Sequence, residues 1–354
     1  MKYRKLCALI LALVMVLGLA ACGGSGGSGD NSKPDSDQVY ELSFSMHDGS
    51  STLKYQYTQE WCDALEEATN GALHITIYPG GALASQDTVV EAMETGACDL
   101  AMVYTSSYNS IFGLTNGITL PMLGMGSAQE GTEVLWDLYE NSPEMKAEYD
   151  DYVLIHLYSN GPNYVLFKDK PVSTFAEFAG LKIRTAGGST TDFLNLCKAE
   201  PMTISTTEIY ESLEKGLVDG NIGSGSQVAS WNLGQVDKYF MDMPVACGVW
   251  MTLMNKDTFE SLPADIQDAI MATSGLEYSL TLADYLQEEN DTAFNEAIAN
   301  DGCQWVSVSA DEQAKFYNAA MTYNQTWIEE HTTANFDGQA YYDMILGFVA
   351  DHAG

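Results

Sequence analysis

The chain has 354 residues, 46% of them hydrophobic, with 49 acidic against 15 basic side chains and a formal charge of −34 at pH 7. That length and apolar content suit two packed domains, or one large one. The charge argues against nucleic-acid binding, which needs a positive footprint; a pocket for any anion must then be a local positive exception, so each of the few cations is informative.

The chain opens on Lys2, Arg4 and Lys5, runs apolar from Leu6 to Ala20, and reaches Leu19-Ala20-Ala21-Cys22. A charged head, a short apolar stretch and small residues before a cut make an export signal. The run is shorter than the ~20 residues of a spanning helix, which disfavours the alternative, an uncleaved anchor. With Cys22 just past the cut, the segment resembles a bacterial lipoprotein signal. That resemblance implies a signal peptide over 1–21 and diacylation of the Cys22 thiol. It also implies a protein held outside the cytoplasm, at the cell surface or in a periplasm, by two acyl chains. Gly23 to about Asp37 is a low-complexity tether, so 22–38 reads as lipidated Cys and linker. Gly23-Gly24-Ser25-Gly26-Gly27 matches G-x-S-x-G by chance, since a linker lacks the strand and helix that motif requires.

From Val39 strands and helices alternate. Val39 to Met46 alternates like a strand, Tyr57, Trp61, Leu65 and Ala68 recur at helical spacing, and Leu73 to Tyr78 is a strand stopped by Pro79-Gly80-Gly81. Ser85 to Thr95 reads as a helix and Asp99 to Val103 as a buried strand. Val153 to Leu157, Tyr164 to Phe167 and Leu181 to Arg184 read as strands, and Asp192 to Lys198 and Glu208 to Lys215 as helices. This order predicts an α/β fold with largely parallel pairing. Ala264 to about Asn300 has no Pro and a single Gly275; as one helix it would be about 55 Å long, more than the ~30 Å of a small domain, as if it ran across two. Phe316, Ala320, Tyr323 and Trp327 mark a further helix.

Beyond Cys7 and Cys22, the cysteines Cys62, Cys98, Cys197, Cys247 and Cys303 are widely spaced and odd in number, with no CxxC pair. This argues against a disulfide framework and against a zinc site. His47, His74, His156, His331 and His352 are scattered, with no H-E-x-x-H, P-loop, G-x-G-x-x-G or calcium loop. No catalytic residue, metal site or cofactor is therefore expected, and the protein is read as not an enzyme.

Gly180-Leu181-Lys182-Ile183-Arg184-Thr185-Ala186-Gly187 is followed by Glu208 to Gly220, Lys238-Tyr239, Met254-Asn255-Lys256 and Leu262-Pro263. Together with Leu73 to Gly80, Gly96 to Ala101 and Leu120-Pro121-Met122-Leu123, this resembles the solute-binding subunit of a TRAP transporter, the DctP-like family, over about residues 39 to 335. The resemblance implies a two-lobe, periplasmic-binding-protein-like (class II-like) α/β fold with hinge strands and a long helix spanning both lobes. Lobe I would take 39–160 with part of 250–289, and lobe II 161–249 with part of 290–354. It implies a monomer that captures a small organic acid between closing lobes and hands it to membrane permease subunits driven by an ion gradient.

Arg184 ends a strand, where ligand sites of α/β sheets gather, and a guanidinium offers two parallel donors to a carboxylate. In the family this Arg clamps the ligand; a salt bridge is its ordinary alternative. The chain departs from the family pattern twice. Asn163 in Gly161-Pro162-Asn163 stands where a second Arg is common, and Ile222-Gly223-Ser224 stands where Glu-Asn-Pro is common. With one cation and one amide missing, a monocarboxylate with an apolar or aromatic body is expected rather than a dicarboxylate or sugar acid. Tyr104, Tyr164, Trp231 and Trp250 fall near segments that line the site in relatives, with core packing as the alternative. Thr105 with Ser106, His47 and Ser51, Thr206 and Gly223 complete the candidate set. Two other readings remain at this point: a binding lipoprotein of an ATP-driven importer for sugars or peptides, and a secreted hydrolase.

Overall fold

A computed structural model describes residues 38–353. The expected signal peptide, Cys22 and the linker to residue 37 lie outside the described residues.

In chain order the elements are β1 (Tyr40–Ser45), α1 (Leu53–Ala68), β2 (Leu73–Tyr78), α2 (Val89–Glu94), β3 (Leu100–Tyr104), α3 (Ala128–Asn141) and α4 (Pro143–Ala147). There follow β4 (Tyr152–Phe167), β5 (Lys182–Thr185), α5 (Ser189–Leu196), β6 (Glu200–Thr203), α6 (Ile209–Glu214), β7 (Gly220–Gly223), α7 (Gly225–Ser230) and β8 (Tyr239–Asp242). The chain ends with β9 (Ala246–Asn255), α8 (Lys256–Ser261), α9 (Ala264–Ala272), α10 (Leu276–Asp301), β10 (Gln304–Ser307), α11 (Ala310–His331) and α12 (Gly338–His352).

The described residues form two compact units. One holds the chain up to Val103 with Asp151–His156 and Thr252–Tyr278; the other holds Tyr104–Asp150, Leu157–Met251 and the chain from Ser279 on. Residues 104–150 fall in the second of these units. The chain passes between units at the end of β3, just before β4, within β4, within β9 and in the first turn of α10.

In the first unit β1 pairs parallel with β2 from Tyr40↔Leu73 to Ser45↔Tyr78, and with β3 at Phe44↔Leu100 and Ser45↔Ala101. Parallel neighbours need crossovers, supplied by α1 and α2. Thr52 caps α1 by accepting from the Tyr55 amide. The buried stripe Tyr57, Trp61 and Leu65 follows the i, i+4 rule. Trp61 meets Phe44 edge-on at 6.5 Å and donates its indole N–H to Thr273 Oγ1 at 2.9 Å. The α2 helix starts at Val89 rather than Ser85, because Ser85 to Thr88 closes a turn in which the Thr88 amide donates to the Ser85 carbonyl at 3.1 Å.

The expected rod from Ala264 is two helices, α9 and α10. Gly275 takes φ +90°, open to a residue without Cβ, and its amide leaves the helix ladder to donate to the Ile155 carbonyl at 3.0 Å. The remaining 26-residue α10 is about 39 Å long. The two strands expected at Val153 and Tyr164 are one 16-residue strand, β4, in which Gly161 takes φ +84°.

In the second unit the sheet order is β4-β7-β5-β6, with β8 against β4 and β10 against β8. β7 runs antiparallel to β4 (Tyr164↔Gly223, Leu166↔Asn221), and parallel to β5 (Ile183↔Gly220, Arg184↔Asn221). Side chains alternate across a sheet, so two cores form on its two faces. Val165, Phe167, Ile183 and Ile222 join Phe178, Phe193 and Phe316 on one; Leu166 joins Ile209, Leu213, Phe240 and Phe294 on the other. By the same alternation Arg184, Asn221, Gly223 and Tyr164 share the second face. Cys62, Cys98, Cys197, Cys247 and Cys303 are buried free thiols.

Candidate ligand-binding site around Arg184

Arg184 is the only arginine besides Arg4. It is 2% exposed near the end of β5, ahead of Gly187 and Gly188, which both take positive φ and turn the chain into α5. Its Nε donates to the Ile204 carbonyl at 2.8 Å, Nη1 to Asn221 Oδ1 at 3.4 Å and Nη2 to Thr206 Oγ1 at 3.4 Å. A guanidinium has five N–H donors, so these contacts leave one on each Nη.

Every acceptor named is neutral. Lys54, Lys146, Lys215 and Lys315 each face a carboxylate, whereas Arg184 makes no ion pair among the described residues. Burial pushes its pKa down to about 10, opposed only by Tyr104. A buried charge without a counter-ion is costly, and in so acidic a chain a carboxylate would have been easy to supply. The arrangement leaves a buried cation with only neutral acceptors around it.

Tyr104 ends β3; burial pushes its phenol pKa up, against a hydrogen bond with Ser106 and the nearby charge of Arg184. Its ring lies 4.7 Å from that of Trp250 on β9, the planes tilted by 41°. Gly188 lets the loop after Arg184 approach Ser106, since a Cβ there would stand 3.2 Å from Ser106 Cβ. Thr105 is fully buried, its hydroxyl shared between Asn116 Oδ1 at 2.5 Å and the Val249 carbonyl at 3.3 Å. It braces this loop from inside.

The other expected residues divide. Tyr164 shares the face of Arg184, but its ring packs edge-on against Phe294 at 5.6 Å and Trp305 at 5.0 Å, and Trp231 packs on the same core. Asn163 is 9% exposed, its Oδ1 makes no hydrogen bond, and strand alternation sets it on the face of Val165. His47 and Ser51 lie in the first unit. His47 Nε2 is 3.3 Å from Asp48 Oδ2, Lys54 is 3.6 Å from the same oxygen, and burial holds the imidazole below its usual pKa. Ser51 is exposed.

Two residues were missed from the sequence. Asn221 faces Arg184 across the β7–β5 ladder, and Gln227 on α7 accepts from Asn221 Nδ2 at 2.9 Å. An amide expected to be lost with the Glu-Asn-Pro segment is therefore present two residues before Gly223, where that Asn would stand, and is turned to the arginine. Its signal was a lone polar residue in the buried strand Gly220–Gly223. Among the described residues no group of three or more His, Cys, Asp or Glu is placed to hold a metal ion, and no helix is long and apolar enough to cross a membrane.

Comparison with known proteins gives this geometry a context. A TRAP solute-binding protein from Rhodoferax ferrireducens T118, in complex with copurified benzoate, superposes with TM-score 0.82 at 21% identity over 89% of this chain and 99% of that one. A marine metagenome TRAP solute-binding protein specific for aromatic acid ligands, with 3-hydroxybenzoate, gives 0.82 at 19% identity over 90% and 100%. Further solved structures of this fold hold mandelate, pyroglutamate or β-D-galacturonate. An uncharacterised Salmonella typhimurium protein, YiiZ, is 26% identical over 215 residues, 56% of this chain and 64% of that protein. The fold is thus that of the two-lobe TRAP solute-binding proteins. Residues 44–330, most of the chain, match one family throughout, and the chain belongs to the bacterial extracellular solute-binding proteins, family 7 (DctP).

Proposed function

We propose that this chain captures a small monocarboxylate with an apolar or aromatic body, through Arg184, for a TRAP-type importer. The observation that carries the reading is the buried guanidinium with an unused N–H on each Nη and no carboxylate partner. One such cation suits one carboxylate. The Tyr104–Trp250 ring pair beside it suits an apolar body, and the benzoate and 3-hydroxybenzoate of the structural relatives are acids of this kind. Cys22 would carry the lipid that keeps the protein at the membrane, where permease subunits receive the ligand.

A thermal-shift screen of the purified protein tests this. A ligand at about 100 times its dissociation constant adds about 2.7 kcal/mol of stability. Benzoate, 3-hydroxybenzoate or mandelate should raise the melting temperature of the wild type and leave Arg184→Ala unmoved. A response to succinate or galacturonate with none to aromatic monocarboxylates would overturn the ligand class, and an equal response from Arg184→Ala would overturn the role of the arginine.

A further inference from the structure

The orientation of Arg184 is built from several elements. Nη1 meets Asn221 Oδ1, and Asn221 Nδ2 donates to Gln227 Oε1. Gln227 rides on α7, and α7 is pinned to α10: the Ser226 amide donates to Asn290 Oδ1 at 2.6 Å, and Asn290 Nδ2 donates to the Asn160 carbonyl at 2.8 Å. The pin leaves no slack, because a Cβ on Gly225 would stand 2.2 Å from the Asn290 carbonyl oxygen. Beside the amides, a Cβ on Gly223 would stand 2.1 Å from Gln227 Oε1 and 2.8 Å from Asn221 Nδ2. The amide pair fills the space that a side chain at 223 would need.

An amide oxygen orients a guanidinium without neutralising it, and the two ends of an amide differ. With its nitrogen occupied by Gln227, Asn221 can turn only its oxygen to Arg184. The Ile204 carbonyl occupies Nε, which closes the side-on approach through Nε and one Nη. One N–H remains on each Nη, and an end-on carboxylate draws on one from each.

We propose that Asn221 and Gln227 are positioning residues that hold Arg184 so that it takes a single carboxylate end-on, through Nη1 and Nη2, and that Gly223 is required because only a residue without a side chain leaves the amide pair in place. This deepens the carboxylate reading above and rests on it for the identity of the ligand, but the ordering of the guanidinium does not.

The test uses the full chain labelled with ¹⁵N-arginine. Only Arg4 and Arg184 contribute, and Arg184→Lys assigns the second. Without ligand, the wild type should give two distinct Nη signals for Arg184, slowed in rotation. Gln227→Leu and Gly223→Ala should average them. Both variants should weaken benzoate binding about tenfold, the scale of one hydrogen bond to a charged group. Gly223→Ala should have a smaller further effect in a Gln227→Ala background, since the nearer of its two clashes is with that side chain. Asn221→Asp supplies a carboxylate where the amide stands; it should raise the melting temperature while weakening benzoate about a hundredfold or more, opposite signs that a merely structural residue would not produce. The proposal is overturned if Gln227→Leu keeps both the Nη signals and the benzoate affinity of the wild type while Arg184→Ala loses binding. If Arg184→Ala itself binds benzoate normally, the carboxylate reading fails, and the Nη signals still decide the positioning pair.

Discussion

Arg184 and Asn221 are register partners across the β5–β7 ladder, and the 3.4 Å contact between Nη1 and Oδ1 joins a buried cation to a neutral amide. An aspartate at the same place would have satisfied the charge and closed the site to an outside anion. The amide keeps the guanidinium both aimed and unneutralised, which is the condition an anion receptor needs.

The aromatic pair beside that guanidinium should set which acids are held. Trp250→Ala opens the wall against which Tyr104 leans at 4.7 Å. It should weaken benzoate about tenfold or more, the scale of a lost aromatic anchor, and weaken acetate far less. Calorimetric titration of both acids into wild type and variant checks this; equal losses for the two would argue that Trp250 acts on the fold alone.

Asp237 is fully buried, neither carboxylate oxygen has a hydrogen-bond partner, and burial raises its pKa well above the usual carboxylate range against the weaker pull of Lys168 and Lys238. The folded state therefore keeps this group protonated where the unfolded chain would ionise it. Its contribution to stability is complete below the usual carboxylate pKa and is lost as pH rises toward the raised value. Asp237→Asn should melt several degrees higher than the wild type at pH 8 and differ little at pH 4. Melting curves across that range decide it; a gap between the two proteins that does not change with pH would refute the assignment.

His352 clamps the last helix to α3, with Nε2 2.6 Å from Asp137 Oδ2 and Nδ1 3.2 Å from Glu133 Oε2. The hydrogen bond to Asp137 leads in raising its pKa, with Glu133, Asp137 and Asp351 adding to the effect. A raised histidine pKa stabilises at low pH and loses that contribution as pH climbs through the folded value. Amide exchange in α12, taken relative to His352→Gln so that intrinsic rates cancel, should show extra protection at pH 6 that fades by pH 9. Matching protection at both pH values would show the clamp to be idle. An NMR titration should also place the His352 midpoint above that of an exposed histidine.

Much of the first unit was legible because each signal was local. β2 spans the residues its alternation indicates, and the Tyr57, Trp61 and Leu65 stripe is the buried face of α1. Two boundaries were misread where one glycine decides the backbone. Gly275, at φ +90°, ends a helix that the absence of Pro carries through, and β4 runs on through Gly161, at φ +84°, where two strands were expected. The place of Arg184 near the end of β5 was legible from the motif around it. The packing of Tyr164 and Trp231 on the core was not, because an aromatic residue serves a core and a pocket equally well. Asn221 stayed hidden for a related reason: its partner is set by strand register, and register between β5 and β7 is a property of the assembled sheet.

The central claim, that Arg184 is the partner of the ligand's carboxylate, is tested most directly by calorimetric titration of benzoate into wild type, Arg184→Lys and Arg184→Ala. The wild type should bind, Arg184→Lys should bind more weakly because a point charge lacks the two parallel donors, and Arg184→Ala should lose about a hundredfold or more. Wild-type affinity for benzoate in Arg184→Ala would contradict it.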